Sequence, residues 1–127
     1  MGQYFEIANL DKKERINPHR FGDGAKLLEF GASGSGTMTG LAFLLRKSTR
    51  TGGGDVPQEA LENFDDVVGR WAGDRVAIVG DYDESDIGQR VWAEDTDFED
   101  ISQRVREAMK TDDYLKKNLR EDLKEVL

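Results

Sequence analysis

Tyr4-Phe-Glu-Ile-Ala-Asn-Leu10 mixes aromatic and β-branched residues with a partial two-residue alternation, which predicts a β-strand. The polar run Asp11-Lys-Lys-Glu14 then supplies a turn. Arg15-Ile-Asn-Pro18 reads as a short returning strand that Pro18 ends or marks as an edge, so the chain is expected to open on a β-hairpin. Phe21-Gly-Asp-Gly24 is a second turn. Lys26-Leu-Leu-Glu-Phe30 is expected by position to be a third strand, although Leu and Lys also suit a helix.

Ser35 and Thr37 are both suitable helix N-caps. The run from Met38 to Lys47 is apolar on most sides, which predicts a buried helix whose dipole Arg46 and Lys47 complement. Ser48-Thr-Arg-Thr-Gly-Gly-Gly54 predicts an exposed loop. Asp55-Val-Pro-Gln58 resembles a capping box that opens a short helix, with Leu61, Phe64 and Val67 or Val68 on its apolar face. Val67 to Trp71 also suits a strand. With Ala72-Gly-Asp74 as its turn, it would pair with Arg75-Val-Ala-Ile-Val-Gly80, the strongest strand pattern in the chain, as a second hairpin.

Asp81 to Asp86 is an acidic loop, and Ile87 to Asp95 follows no single period. Thr96 to Glu99 has the form of a capping box. Phe98, Ile101, Val105, Ala108 and Met109 then fall three and four apart, as on one helix face. Thr111-Asp-Asp113 breaks that helix. Leu115, Leu119, Leu123, Val126 and Leu127 form the stripe of a second one.

These elements predict one α+β domain over residues 1–127, with a sheet-containing part at 1–95 and C-terminal helices at 96–127. A small, mainly antiparallel sheet from two hairpins and the Leu27 segment would be covered by the central helix and the two C-terminal amphipathic helices. Strand order does not follow from the pattern.

Composition narrows the class of protein. At 127 residues the chain has the size of a single domain that can fold alone. The absence of cysteine rules out disulfides and thiolate metal sites. No basic segment leads into an apolar core at the N-terminus, and no apolar run nears the ~20 residues of a membrane span. A cytoplasmic protein without a membrane partner is therefore expected. The net charge of −8 opposes binding to nucleic acid, which needs clustered Lys and Arg. It fits an ordinary acidic protein, a surface adapted to high salt, or a mimic of nucleic acid aimed at a basic partner.

Two segments carry candidate chemistry. Leu27-Leu-Glu-Phe-Gly-Ala-Ser-Gly-Ser-Gly-Thr-Met-Thr-Gly40 has the layout of a phosphate cradle, an apolar segment and glycine loop leading into a helix. Gly31, Ser33, Gly34, Ser35, Gly36 and Thr37 are its candidate phosphate-binding residues. Thr37 stands where a P-loop has lysine, and Met38 where it has Ser or Thr, so the main charge is missing. The bland alternative is a tight connection that binds nothing. In the second segment, Asp81, Asp83 and Ser85 match the opening of a calcium loop, which would make Asp81 and Asp83 ligands for Mg or Ca. Asp86 replaces the required glycine and Trp92 the bidentate glutamate, and a solvated acidic loop explains the residues equally well. His19, the sole histidine, has no partners for a zinc site or a catalytic triad. Trp71 and Trp92 are expected as core or interface anchors, and Leu123 and Leu127 could extend an interface.

Three stretches resemble a group of small uncharacterised proteins encoded by prokaryotes, halophilic archaea among them, and by their viruses. They are Met1 to Lys12, Phe21 to Phe30 and Gly69 to Asp83. The resemblance implies no activity. It implies a cytoplasmic or virus-associated accessory protein with an acidic surface suited to salt. With no complete catalytic constellation, the expected function is non-enzymatic, through binding of a protein partner or self-association. The alternative is a small phosphate- or nucleotide-binding protein using Gly31 to Thr37, with a divalent cation at Asp81 or Asp83.

Overall fold

The computed structural model describes residues 3–32, 35–46 and 67–110. Strand β1 (Phe5–Asn9) turns into β2 (Glu14–Ile16), followed by a 3₁₀ turn at Pro18–Phe21. Helices α1 (Leu27–Phe30) and α2 (Gly36–Leu45) precede strand β3 (Val76–Gly80). Helix α3 (Asp86–Trp92), strand β4 (Glu99–Asp100) and helix α4 (Ser102–Lys110) complete the described elements. The result is an α+β fold with a four-stranded sheet in the order β3-β1-β2-β4. Among the described residues no helix is long and apolar enough to cross a membrane.

The first hairpin forms where its sequence predicts. Asn9 shapes the turn, its Oδ1 accepting from the amides of Asp11 at 2.9 Å and Lys12 at 2.7 Å. Lys13 then takes a left-handed conformation (φ 55°), and its carbonyl accepts from the Glu99 amide of β4. The β2–β4 pair is parallel, and the two β1 pairs are antiparallel.

The second hairpin does not form. β3 pairs with β1, matching Phe5 with Gly80 through Asn9 with Val76. Residues 67–73 form successive turns, with Gly69 and Gly73 at φ 77° and 86°. Their amides are used elsewhere: Gly69 donates to the Phe43 carbonyl and Trp71 to that of Leu44, both at 2.9 Å. Those carbonyls belong to the last turn of α2 and have no partner within the helix. The segment is thus a helix cap, and the left-handed glycines keep it from extending.

Lys26 to Phe30 is likewise not a strand. It makes one helical turn, with the Glu29 carboxylate accepting from the Lys26 amide at 3.1 Å. Phe30 alone among the turn's residues is buried, while Leu28 is 85% exposed. A single buried side chain meets the packing need here, so nothing enforces an extended backbone.

The sheet is covered on both faces. Ile7 and Ile16 pack with Phe21, Phe43, Leu44, Trp71, Val105 and Met109 on one side. Ala8 and Val79 pack with Val91 and Phe98 on the other, joined by Ile87 and Trp92. The apolar stripe of the C-terminal third therefore divides: Ile101, Val105, Ala108 and Met109 enter the first core, and Phe98 enters the second. The helix begins at Ser102 rather than at the Thr96 box. The Glu99 and Ile101 amides donate to the Lys13 and Arg15 carbonyls, which holds this stretch extended against β2. Asp100 starts the helix, its Oδ1 accepting from the Ser102 amide at 2.9 Å. The second C-terminal helix and the helix beginning near Asp55 lie outside the described residues.

Each face of the sheet also buries a carboxylate. Glu14, 3% exposed, accepts from Arg70 Nε at 3.0 Å, Arg70 Nη2 at 2.6 Å and Trp71 Nε1 at 2.9 Å. On the other face Glu6 accepts from Arg15 Nη1 at 2.7 Å on both oxygens, while Arg15 Nε donates to the Phe98 carbonyl. Burial raises the Glu6 carboxyl above the ordinary range, and Arg15 offsets this only in part. Burial also pushes Glu14 upward, but the bonds from Arg70 and Trp71 outweigh it and leave the carboxyl below the ordinary range.

A carboxyl lowered in this way stabilises the fold above its unfolded pKa, and that contribution is lost as pH falls through the folded value. Glu14→Gln is therefore expected to cost about 2–3 kcal/mol at neutral pH. Urea denaturation should show the gap from the wild type shrinking as pH falls below the ordinary glutamate value. A gap that stays constant with pH would show that the ionised form contributes nothing.

Candidate functional site

The glycine loop ends in a well-capped helix. Ser35 Oγ accepts from the Met38 amide at 3.0 Å and donates to the Phe30 carbonyl at 2.6 Å. The cap position expected for Ser35 is thus observed, and its hydroxyl also ties α2 back to α1. Gly31 ends α1, its amide donating to the Leu27 carbonyl. Ser33 and Gly34 lie outside the described residues.

Thr37 is fully buried. Its amide and its hydroxyl both donate to Asp23 Oδ2, at 2.8 and 2.5 Å. A carboxylate from the chain itself therefore sits at the start of α2, where an anion is favoured by the free amides and the dipole. A phosphate using the Thr37 amide would have to displace Asp23. Gly36 is required for packing: a Cβ there would stand 2.5 Å from the Phe21 carbonyl oxygen.

The acidic loop has a comparable internal explanation. Asp81 is bound to the N-terminal segment, its Oδ1 accepting from the Tyr4 amide at 3.0 Å and its own amide donating to the Tyr4 carbonyl at 2.8 Å. Asp83 Oδ1 accepts from the Ser85 amide at 2.8 Å, and Ser85 Oγ accepts from the Gly88 amide at 3.1 Å, which caps α3. The bonds from Ser85 hold the Asp83 carboxyl below the ordinary aspartate range. Among the described residues, no three His, Cys, Asp or Glu side chains converge as a metal site. His19 lies in the 3₁₀ turn with its ring edge-on to Tyr4, centroids 6.1 Å apart.

The two tryptophans separate. Trp71 is fully buried in the larger core and bonded to Glu14, so it is an interior anchor rather than an interface residue. Trp92 is half-buried over β3, its Nε1 donating to the Val79 carbonyl at 3.0 Å. Leu123 and Leu127 lie outside the described residues.

What the sequence pattern does not reveal is the character of the two sheet edges. β4 is two residues long and both are acidic, which discourages pairing with another strand. β3 carries no charge from Val76 to Gly80, and among the described residues β1 alone pairs with it. The Leu10 amide bonds to the Arg75 carbonyl and the Asp81 amide to that of Tyr4. With the Glu6–Val79 register, these bonds turn the backbone groups of residues 75, 77, 79 and 81 towards β1. The groups of Val76, Ile78 and Gly80 consequently point outward. Of these, Gly80 is buried and its carbonyl accepts from the Asp83 amide at 3.1 Å. Ile78, in the middle of the strand, is 48% exposed, and Tyr4 and Tyr82 stand exposed near its end.

No protein-family model matches the chain, and no curated protein or solved structure matches it either.

Asp23→Ala is expected to destabilise the fold by about 1–2 kcal/mol, because it removes two bonds and strands the buried Thr37 hydroxyl. Thermal unfolding would measure this, and an unchanged midpoint would mean that water replaces the carboxylate without loss. Gly36→Ala gains helix propensity worth about 1 kcal/mol but forces a Cβ onto a backbone oxygen. A net loss of about 1–2 kcal/mol is expected, and a gain in stability would show that the Phe21 carbonyl yields easily.

Proposed function

We propose that this protein is a non-enzymatic binding or assembly protein that works by strand addition at the outer edge of β3. The observation that carries this reading is the outward backbone groups of the half-buried Val76 and the exposed Ile78 on a strand that carries no charge and, among the described residues, pairs on one side alone. An extended segment placed there gains main-chain hydrogen bonds, and the half-exposed Ile78 offers an apolar contact beside them. The opposite edge, short and acidic at Glu99 and Asp100, supports the same reading by contrast. The two other candidate segments support ligand chemistry less well, because Asp23, Asp81 and Asp83 are engaged by backbone amides of the chain itself.

Proline at position 78 removes the outward N–H and leaves the bonds to β1 untouched, since proline is tolerated on edge strands in this orientation. Ile78→Pro is therefore expected to abolish partner binding in affinity capture, while Ile78→Thr, which keeps the N–H, retains it. Equal binding by both variants would show that the contact does not use the β3 backbone.

A further inference from the structure

The β3 edge is complementary to itself. We infer that its occupant is a second copy of this chain, paired antiparallel about a two-fold axis through Ile78. The inference rests on the strand-addition reading and names the partner for it. In an antiparallel pair centred on Ile78, Val76 of each copy faces Gly80 of the other, and the two Ile78 residues face each other. These three positions are the ones whose backbone groups point outward, so this register uses all of them as hydrogen-bonded pairs. Gly80 is buried and its carbonyl already accepts from Asp83, so its pairing with Val76 requires the chain beyond β3 to move aside.

The same register sets the charges. Arg75 and Asp81 flank the uncharged strand at equal distances from Ile78 and on the same face of the sheet. Antiparallel pairing about Ile78 places Arg75 of each copy opposite Asp81 of the other, which gives two ion pairs across the seam. A two-residue slip re-centred on Ala77 would set Arg75 against Val79, and one re-centred on Val79 would set it against Asp83, beyond the end of the strand. Arg75 has the reach for this contact: its side chain is 75% exposed and, among the described residues, bonded to Asp11. Its guanidinium can serve a second carboxylate, because it carries five N–H donors. The dimer joins two four-stranded sheets into a continuous one.

The chain has no cysteine, so single cysteine variants of the full chain report the register cleanly. In this arrangement the two Ile78 Cα atoms stand about 5.5 Å apart, within disulfide range. The two copies of Tyr82, equally exposed, are held about 27 Å apart. Under mild oxidation, Ile78→Cys is expected to form covalent dimers and Tyr82→Cys to remain monomeric.

Charge reversal gives a second measurement. Arg75→Asp and Asp81→Arg should each weaken dimerisation by about tenfold in sedimentation equilibrium. An equimolar mixture of the two variants should recover it as a heterodimer, which misfolded variants would not do. A wild-type chain that remains monomeric at millimolar concentration overturns the inference, as does equal cross-linking at positions 78 and 82. The fate of the underlying reading is read separately, by amide exchange. Protection of the Val76, Ile78 and Gly80 amides by a different extended peptide, in a monomeric chain, would overturn self-pairing and leave strand addition standing. The absence of both dimer and protection at millimolar chain and peptide would overturn both.

Discussion

The buried carboxylate of Glu14 holds the fold's separate parts in register. It lies on β2, yet its three donors come from Arg70 and Trp71, more than fifty positions further along the chain. By holding that segment against the sheet, it brings the Gly69 and Trp71 amides to the end of α2, where they satisfy carbonyls the helix cannot. It also sets the direction from which the chain runs into β3. A neutral side chain could fill the space but would take one buried carboxylate away from the partly buried Arg70 guanidinium.

Glu6 and Arg15 make the matching contact on the opposite face, and the two clamps differ in a telling way. Arg15 reaches across one hairpin and is tied further to the Phe98 carbonyl, so this pair joins the hairpin to the stretch leading into β4. Burial is the largest influence on both carboxyls; it prevails at Glu6, whereas at Glu14 the donated hydrogen bonds and the nearby guanidinium charges together outweigh it. The first contact thus works as a local bracket, and the second as the long-range one. Among the described residues both faces are covered and clamped, which leaves the two edges of the sheet. There the acidic β4 and the uncharged β3 stand in contrast.

Much of this was legible along the chain, and the exceptions are informative. Tyr4 to Leu10, Ser35 with the helix after it, and Val76 to Val79 form the elements their patterns indicate, because each pattern is long or has a capping residue. Lys26 to Phe30 and Val67 to Trp71 do not. Both are short apolar runs whose helical and extended readings differ only in what they pack against. The stripe from Phe98 to Met109 shows the same limit. Its spacing is helical, but Phe98 belongs to the other side of the sheet, because the Lys13 and Arg15 carbonyls claim the amides between. The candidate ligand residues failed to stand out for a related reason. Asp23 completes the start of α2 from fourteen positions upstream, and no local motif announces it.

Local chemistry alone determined the turn after Asn9, the Ser35 cap of α2 and the extended runs at Tyr4 to Leu10 and Val76 to Val79. Backbone sterics and side-chain polarity act between near neighbours and need no fold to operate. It also determined the uncharged run between Arg75 and Asp81, with its symmetric flanking charges. Only the tertiary structure decided that this strand lies beside β1 and, among the described residues, at the edge of the sheet. That placement depends on non-local contacts, chiefly Glu14 with Arg70 and Trp71, whose energies are gained only once distant segments have met.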